Sequence, residues 1–332
     1  MKFNEDSRVK IPAILHLCRL GYKYISLNNA VWDTNTNIFT EIFKESILKI
    51  NPDFDNDQAE RLLVEISLLL DNEDLGKAFY EKLISESGTK LIDFENFENN
   101  SFYVATELTY KNGDEEFRPD IILLINGMPL AFIEVKKPNN RDGIIAERER
   151  INKRFQNKKF RKFVNITQLM VFSNNMEYDK DDIEPLQGAF YASASYTKPI
   201  FNYFREEEKI DLEKLLASED DILENFVLKD NNLAVIKNSP EFLTNKSPKT
   251  PTNRILTSLF SKDRLAFILK YAIAYVNELT GIEKHVMRYP QMFATKAIES
   301  KLDNGIKKGI IWHTQGSGKT ALAFYNVRYL TD

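Results

Sequence analysis

The stretch Arg118-Pro119-Asp120-Ile121-Ile122-Leu123-Leu124-Ile125-Asn126-Gly127-Met128-Pro129-Leu130-Ala131-Phe132-Ile133-Glu134-Val135-Lys136 decides the fold. Two apolar runs flank Asn126-Gly127, a strong short-range signal for a β-hairpin. With Asn126 to Met128 as a three-residue loop centred on Gly127, Asp120 stands directly opposite Glu134. Opposed residues share a face with about 5 Å between Cβ atoms. Lys136 points the same way because strand side chains alternate. One face therefore carries Asp, Glu and Lys, and a slip of one residue would send Asp120 to the other side.

Two carboxylates at that separation suit a hard divalent cation, which prefers oxygen ligands and keeps several waters. That is the chemistry of phosphodiester hydrolysis: the cation polarises the phosphate and acidifies a bound water. Neighbouring negative charge keeps Lys136 protonated, which fits it to orient the water and stabilise developing negative charge. The catalytic residues expected are Asp120, Glu134 and Lys136, with Asp120 and Glu134 as the metal ligands. A buried valine between two solvated charges is the plainer reading of Glu-Val-Lys. The aspartate placed opposite shifts the balance toward chemistry.

Composition sets the frame. The 332 residues suffice for one large or two ordinary domains, and 43% apolar with 28% charged residues is ordinary for a soluble globular protein. No run approaches the roughly 18 apolar residues of a membrane span, and the first residues do not begin a signal peptide. One cysteine, Cys18, excludes an internal disulfide framework, so a cytoplasmic location is the default expectation. His16, His285 and His313 are too scattered for a zinc site. A net charge of −4 does not announce a nucleic-acid binder, so local patches must supply the attraction.

Along the chain, residues 6 to 21 read as a helix ended by Gly21, with Glu5 either near the metal site or simply solvated. Residues 37 to 50 and 57 to 87 show further amphipathic helices, with Leu62, Leu63, Ile66, Leu69 and Leu70 on one face. A strand is expected from Ser101 to Tyr110, offering Glu107 as a third acidic ligand. After the hairpin comes a helix from Ile144 to Phe155, then a strand from Ile166 to Ser173. Arg148, Arg150, Lys153, Arg154, Lys158, Lys159, Arg161 and Lys162 form the densest basic run, either a phosphate-contacting surface or a solvated helix face. Gln168 faces an undecided side. Glu206 to Phe226 reads as helical and acidic, Asn238 to Asn253 with its prolines as a linker or an extended surface segment, and Lys262 to Glu278 as a helix.

A second motif closes the sequence. Gly309-Ile310-Ile311-Trp312 reads as a short strand, followed by His313-Thr314-Gln315-Gly316-Ser317-Gly318-Lys319-Thr320 and a helix. A glycine-rich loop between strand and helix presents backbone N–H groups to phosphates. Gly316, Ser317 and Gly318 would cradle them, Lys319 would meet the β and γ phosphates, and Thr320 would offer its hydroxyl to magnesium.

The hairpin with Asp120 and Glu134-Val135-Lys136 resembles the Pro-Asp...(Asp/Glu)-x-Lys nuclease signature. The longer string from Arg118 through Lys137-Pro138 is similar to the N-terminal nuclease domain of type I restriction enzyme R subunits. Trp312 to Thr320 resembles the phosphate loop of their motors, where His313 replaces the first glycine of the general pattern. Arg288-Tyr289-Pro290-Gln291 resembles the segment before helicase motif I, which implies that Gln291 contacts adenine. The Gln-x-x-x-Tyr motif of the family has no obvious match, since the corresponding helix ends Asn152-Lys153-Arg154-Phe155.

The resemblance implies an α/β fold: a PD-(D/E)xK nuclease core with a mixed sheet over residues 1–205, a helical connector over 206–280, and the start of a RecA-like superfamily 2 motor over 281–332, truncated just after motif I. It implies Mg²⁺-dependent cleavage of unmodified double-stranded DNA. In the intact enzyme this is coupled to ATP-driven translocation, with methyltransferase and specificity subunits as partners and, for a split subunit, a separate polypeptide carrying the rest of the motor. The alternative is an inactive remnant, or a DNA-binding or subunit-docking module.

Overall fold

The computed structural model describes residues 5–138, 143–178, 187–196, 199–279, 281–312, 316 and 318–331. Its centre is a mixed seven-stranded sheet. The strands are β1 (Lys23–Tyr24), β2 (Phe102–Thr106), β3 (Tyr110–Asn112), β4 (Glu115–Phe117), β5 (Ile121–Ile125), β6 (Met128–Val135), β7 (Leu169–Ser173), β8 (Ala189–Ala192), β9 (Asn202–Tyr203), β10 (Ile273–Glu278) and β11 (Gly281–Val286). The main sheet runs β1-β2-β5-β6-β7-β8-β9, while β3 and β4, and β10 and β11, form separate antiparallel pairs. Pairing is parallel between β1 and β2 and between β6 and β7, and antiparallel elsewhere in the sheet.

β5 and β6 are central strands buried along their whole length. Ile121, Leu123, Ile133 and Val135 pack on one side with helices Ile11–Arg19, Pro251–Phe260 and Lys262–Tyr271, while Ile122, Leu124 and Phe132 pack on the other with Ile151, Phe155, Phe163 and Val164. This explains the near-continuous apolar runs, which sheets covered on both faces require.

The expected register is present at the site, but by another route. Asn126 and Gly127 both adopt positive φ, 50° and 77°, and Ile125 pairs with Met128, so the turn has two residues rather than three. An irregularity between Leu123 and Leu124 then restores Ile121 opposite Ile133, with Leu130 as the extra residue. Pro129 lies beside this bulge, where a missing backbone donor is tolerated. The turn is itself buried: the Asn126 side chain accepts from Ser101 N at 2.7 Å and donates to Leu91 O at 2.9 Å, and Phe39 N donates to Gly127 O at 2.9 Å.

Three expected elements differ. The Lys262–Glu278 helix stops at Tyr271, and Ile273 begins the β10–β11 hairpin, so the 206–280 connector is not wholly helical. β-branched Ile273 and Val276 with aromatic Tyr275 suit a strand. The proline-bearing stretch 238–253 is not a linker: Pro240 and Pro251 stand at the starts of helices Pro240–Asn245 and Pro251–Phe260, where a fixed φ and no N–H are advantages. Gly309–Trp312 forms no strand, and Ile310 and Trp312 are 93% and 90% exposed. A strand without a neighbour has no ladder to join. Among the described residues no helix is long and apolar enough to cross a membrane.

Candidate active site

Asp120, Glu134 and Lys136 meet at one end of β5 and β6. The register through Ile121 and Ile133 sets Asp120 against Glu134 on the face shared with Ile122 and Phe132. Asp120 is fixed by accepting from Val135 N at 2.9 Å, while Glu107 N donates to its carbonyl at 3.3 Å. The Lys136 Nζ lies 3.7 Å from Asp120 Oδ2, 3.7 Å from Glu134 Oε2 and 3.4 Å from Glu147 Oε2, and donates to Val135 O at 2.9 Å. Lys136 N donates to Ser173 O at 2.8 Å, continuing the β6–β7 ladder and anchoring the lysine backbone.

The electrostatics follow from burial. Glu134 is buried, which together with nearby Asp120 and Glu147 pushes its carboxyl well above the usual range, against the pull of Lys136. Burial opposes the charge on Lys136, but Asp120, Glu134 and Glu147 outweigh it and hold the ammonium above its ordinary value. Glu134 Oε1 is buried with no hydrogen-bond partner. An orphaned carboxylate oxygen beside a second carboxylate is a place where a cation would relieve both desolvation and repulsion. The pair therefore fits a hard cation that keeps most of its waters. Among the described residues no group of three or more His, Cys, Asp or Glu side chains is arranged to hold a metal.

The other acidic residues separate. Glu107 takes no part as a third ligand: it pairs with the Lys10 ammonium, and with Arg118 NH1 at 3.5 Å, and the Lys10 hydrogen bond leads in lowering its pKa. Glu5 does reach the site, accepting from Lys137 N at 3.1 Å; burial raises its carboxyl, while Lys136 lowers it.

Glu147, an acidic residue at the start of the basic run that the sequence reading gave no role, is buried and faces Lys136. Its signal was legible: it precedes Ile151 and Phe155 at helical spacing, on the apolar face of helix Gly143–Gln156. The basic run is correspondingly not one free surface. Arg150 and Arg154 pair with Glu147, Lys158 and Arg161 with Glu73, and Lys162 with Asp71. Gln168 is structural: it donates to Asn165 O and Ile166 O and accepts from buried Lys284 at 2.7 Å.

In the phosphate-loop segment, Ser317 lies outside the described residues, as do His313 to Gln315. Gly318 precedes helix Lys319–Leu330 at φ 80°, and Lys319 and Thr320 are exposed at its start. Gln291 Nε2 donates to Gly318 O at 3.0 Å and its Oε1 accepts from Arg288 N at 2.9 Å, while Arg288 reaches Gly316 O at 3.2 Å. Both halves of the Gln291 amide thus bind the chain's own backbone. Gly318, Thr320, Arg288 and Gln291 line a cavity of about 580 Å³, which Tyr275 and Phe324 also border.

The Type I restriction enzyme R protein N terminus family matches residues 2–179, more than half of the chain, and the SWI2/SNF2 ATPase family matches residues 290–332. The putative type I restriction enzyme MjaIXP endonuclease subunit of Methanocaldococcus jannaschii is 27% identical over 98% of this chain and 31% of its own length. The MjaVIIP endonuclease subunit of the same organism is 26% identical over 73% of this chain and 19% of its own. The HindI endonuclease subunit of Haemophilus influenzae is 22% identical over 90% of this chain and 27% of its own. The chain thus spans less than a third of the length of these relatives.

Proposed function

Because the chain belongs to the Type I restriction enzyme R protein N terminus family, we propose that it is the nuclease portion of such a subunit, hydrolysing phosphodiester bonds in unmodified double-stranded DNA with Mg²⁺. The observation that carries this reading is the convergence of Asp120, Glu134 and Lys136 on one sheet face, with Lys136 Nζ 3.7 Å from each carboxylate. The PD-(D/E)xK assignment rests on the same three residues.

Asp120 and Glu134 would hold Mg²⁺, which supplies Lewis-acid activation of the phosphate and of a bound water. Asp120 is kept in place for this by the Val135 N–H. Burial and the nearby Asp120 and Glu147 favour the neutral form of Glu134, so positive charge beside it, from Lys136 and a bound cation, favours the ionised form that would ligate. The Lys136 ammonium stays charged and sits where it can pair with a phosphate oxygen as negative charge develops.

At the other end, Lys319 and Thr320 open a helix beside the cavity, which supports ATP as the ligand of that segment in the intact enzyme. Methyltransferase and specificity subunits, supplying DNA recognition, are the proposed partners. Exposed Ile310 and Trp312 favour a second role as a docking segment for motor strands, whether on this polypeptide or a separate one.

The test is Mg²⁺-dependent cleavage of unmodified plasmid by the wild type and by Asp120→Ala, alone and with the partner subunits. Cleavage abolished by the substitution supports the nuclease. A folded wild type that leaves plasmid intact in every combination refutes it.

A further inference from the structure

Glu147 projects from helix Gly143–Gln156 into the protein, with 1% of its surface exposed and neither carboxylate oxygen making a hydrogen bond. A buried carboxylate is retained only where opposite charge compensates it. Three cations do so: Lys136 Nζ at 3.4 Å and Arg150 NH1 at 3.2 Å from Oε2, and Arg154 NH1 at 3.7 Å from Oε1. Arg154 is also held by stacking over Phe117 at 4.2 Å, whereas Arg150 is 55% exposed and free to turn outward. Of the three carboxylates around Lys136, Glu147 is the nearest.

Those three carboxylates have different prospects. Asp120 and Glu134 form the pair fitted to a cation; once it is neutralised, the cation repels the ammonium that the pair had attracted. Glu147 lies on a different element, outside that pair, with its Oε2 3.4 Å from the lysine.

We propose that Glu147 is the positioning residue for Lys136, retaining its ammonium beside the Asp120–Glu134 pair when that pair holds a cation. This rests on the nuclease reading. Glu147 touches no reacting atom and acts only through the lysine. Its carboxylate orients Lys136 as an outer-shell partner orients a ligand.

The experiment is a double-mutant cycle in the full chain with Glu147→Gln, Lys136→Ala and the pair, read first as plasmid cleavage with Mg²⁺. Glu147→Gln is expected to lower kcat about 10- to 100-fold with KM for DNA unchanged, and Glu147→Asp to recover part of the loss. On the Lys136→Ala background, Glu147→Gln should add no further loss. An equal loss on both backgrounds, or a change confined to KM, overturns the proposal, since Glu147 would then act through its arginines or the fold.

The second readout is urea unfolding of the same four proteins in EDTA, where non-additive midpoint shifts support the contact and additive shifts overturn it. If Glu147→Gln does not fold, Glu147→Asp replaces it in both cycles. A folded wild type that leaves plasmid intact alone and with the partner subunits refutes the nuclease reading, and the urea cycle still decides whether Glu147 holds Lys136.

Discussion

The hairpin bearing Asp120, Glu134 and Lys136 and the glycine-rich segment before Lys319 each carry a recognisable motif, but their surroundings differ. Around Asp120 and Glu134 every strand has neighbours on both sides, and Lys136 brings the compensating charge, itself paired with Glu147. Around Gly318 the described residues 309–312 pair with no strand, and Ile310 and Trp312 face solvent. A motif becomes a preorganised site only where packing holds its side chains; elsewhere it is a chemical potential awaiting neighbours.

The strongest way to break the comparison is Asp120→Ala. Cleavage should fall by at least about 10²–10³-fold, measured on plasmid at saturating Mg²⁺. The substitution removes a proposed oxygen ligand, the acceptor of Val135 N–H and one partner of Lys136. Retained cleavage would remove the hairpin from the chemistry.

Next in size is Gly127→Ala. The turn glycine has φ 77°, and a Cβ there would meet Phe39 O at 2.6 Å and Phe43 N at 2.8 Å, both backbone atoms that cannot step aside cheaply. Thermal or urea unfolding should show a loss on the order of 3 kcal/mol. Gly305→Ala, at φ 76° with nothing within 4 Å, should cost only about 1 kcal/mol. Equal costs would mean that the hairpin turn is no better packed than the C-terminal region.

A smaller effect probes the tie between the regions. Lys284 on β11 is buried, and burial lowers its pKa to about 7. It donates to Thr167 O and Gln168 Oε1, which it can do as a neutral amine. The unfolded chain holds that proton up to about pH 10.4, so above pH 7 the unfolded state binds more protons and stability rises with pH. The slope is at most about 1.4 kcal/mol per pH unit. Urea unfolding of the wild type and Lys284→Met between pH 7 and 9 should therefore diverge in favour of the wild type as pH rises. Parallel curves would show an ammonium equally protonated in both states.

The smallest expected effect is Trp312→Ser. A side chain 90% exposed should change the unfolding free energy by no more than about 0.5 kcal/mol. A larger loss would mean that this segment is packed after all.

The hairpin was readable because Asn126-Gly127 between two apolar runs is a local signal, but Asp120 faces Glu134 only because a bulge offsets the two-residue turn. The loop length was not, since the bulge that restores the register is a compromise between a two-residue turn and the packing of Leu130. The 238–253 stretch misled because proline marks a helix start as readily as a linker, and only the burial of Phe242, Leu256 and Phe260 distinguishes them. Likewise Val276 and its neighbours fit either period until a partner strand appears.

The sequence alone determined the chemical kit and its spacing: two opposed carboxylates with a lysine two residues on, and a glycine-rich loop entering a helix. Tertiary structure decided which charges meet. It brought Glu147 to Lys136 from another element, sent Glu107 to Lys10 and Arg118, and set Glu5 beside Lys137. Ion pairs across elements depend on distances that local pattern does not encode, and burial, which multiplies their strength, exists only once the chain has folded.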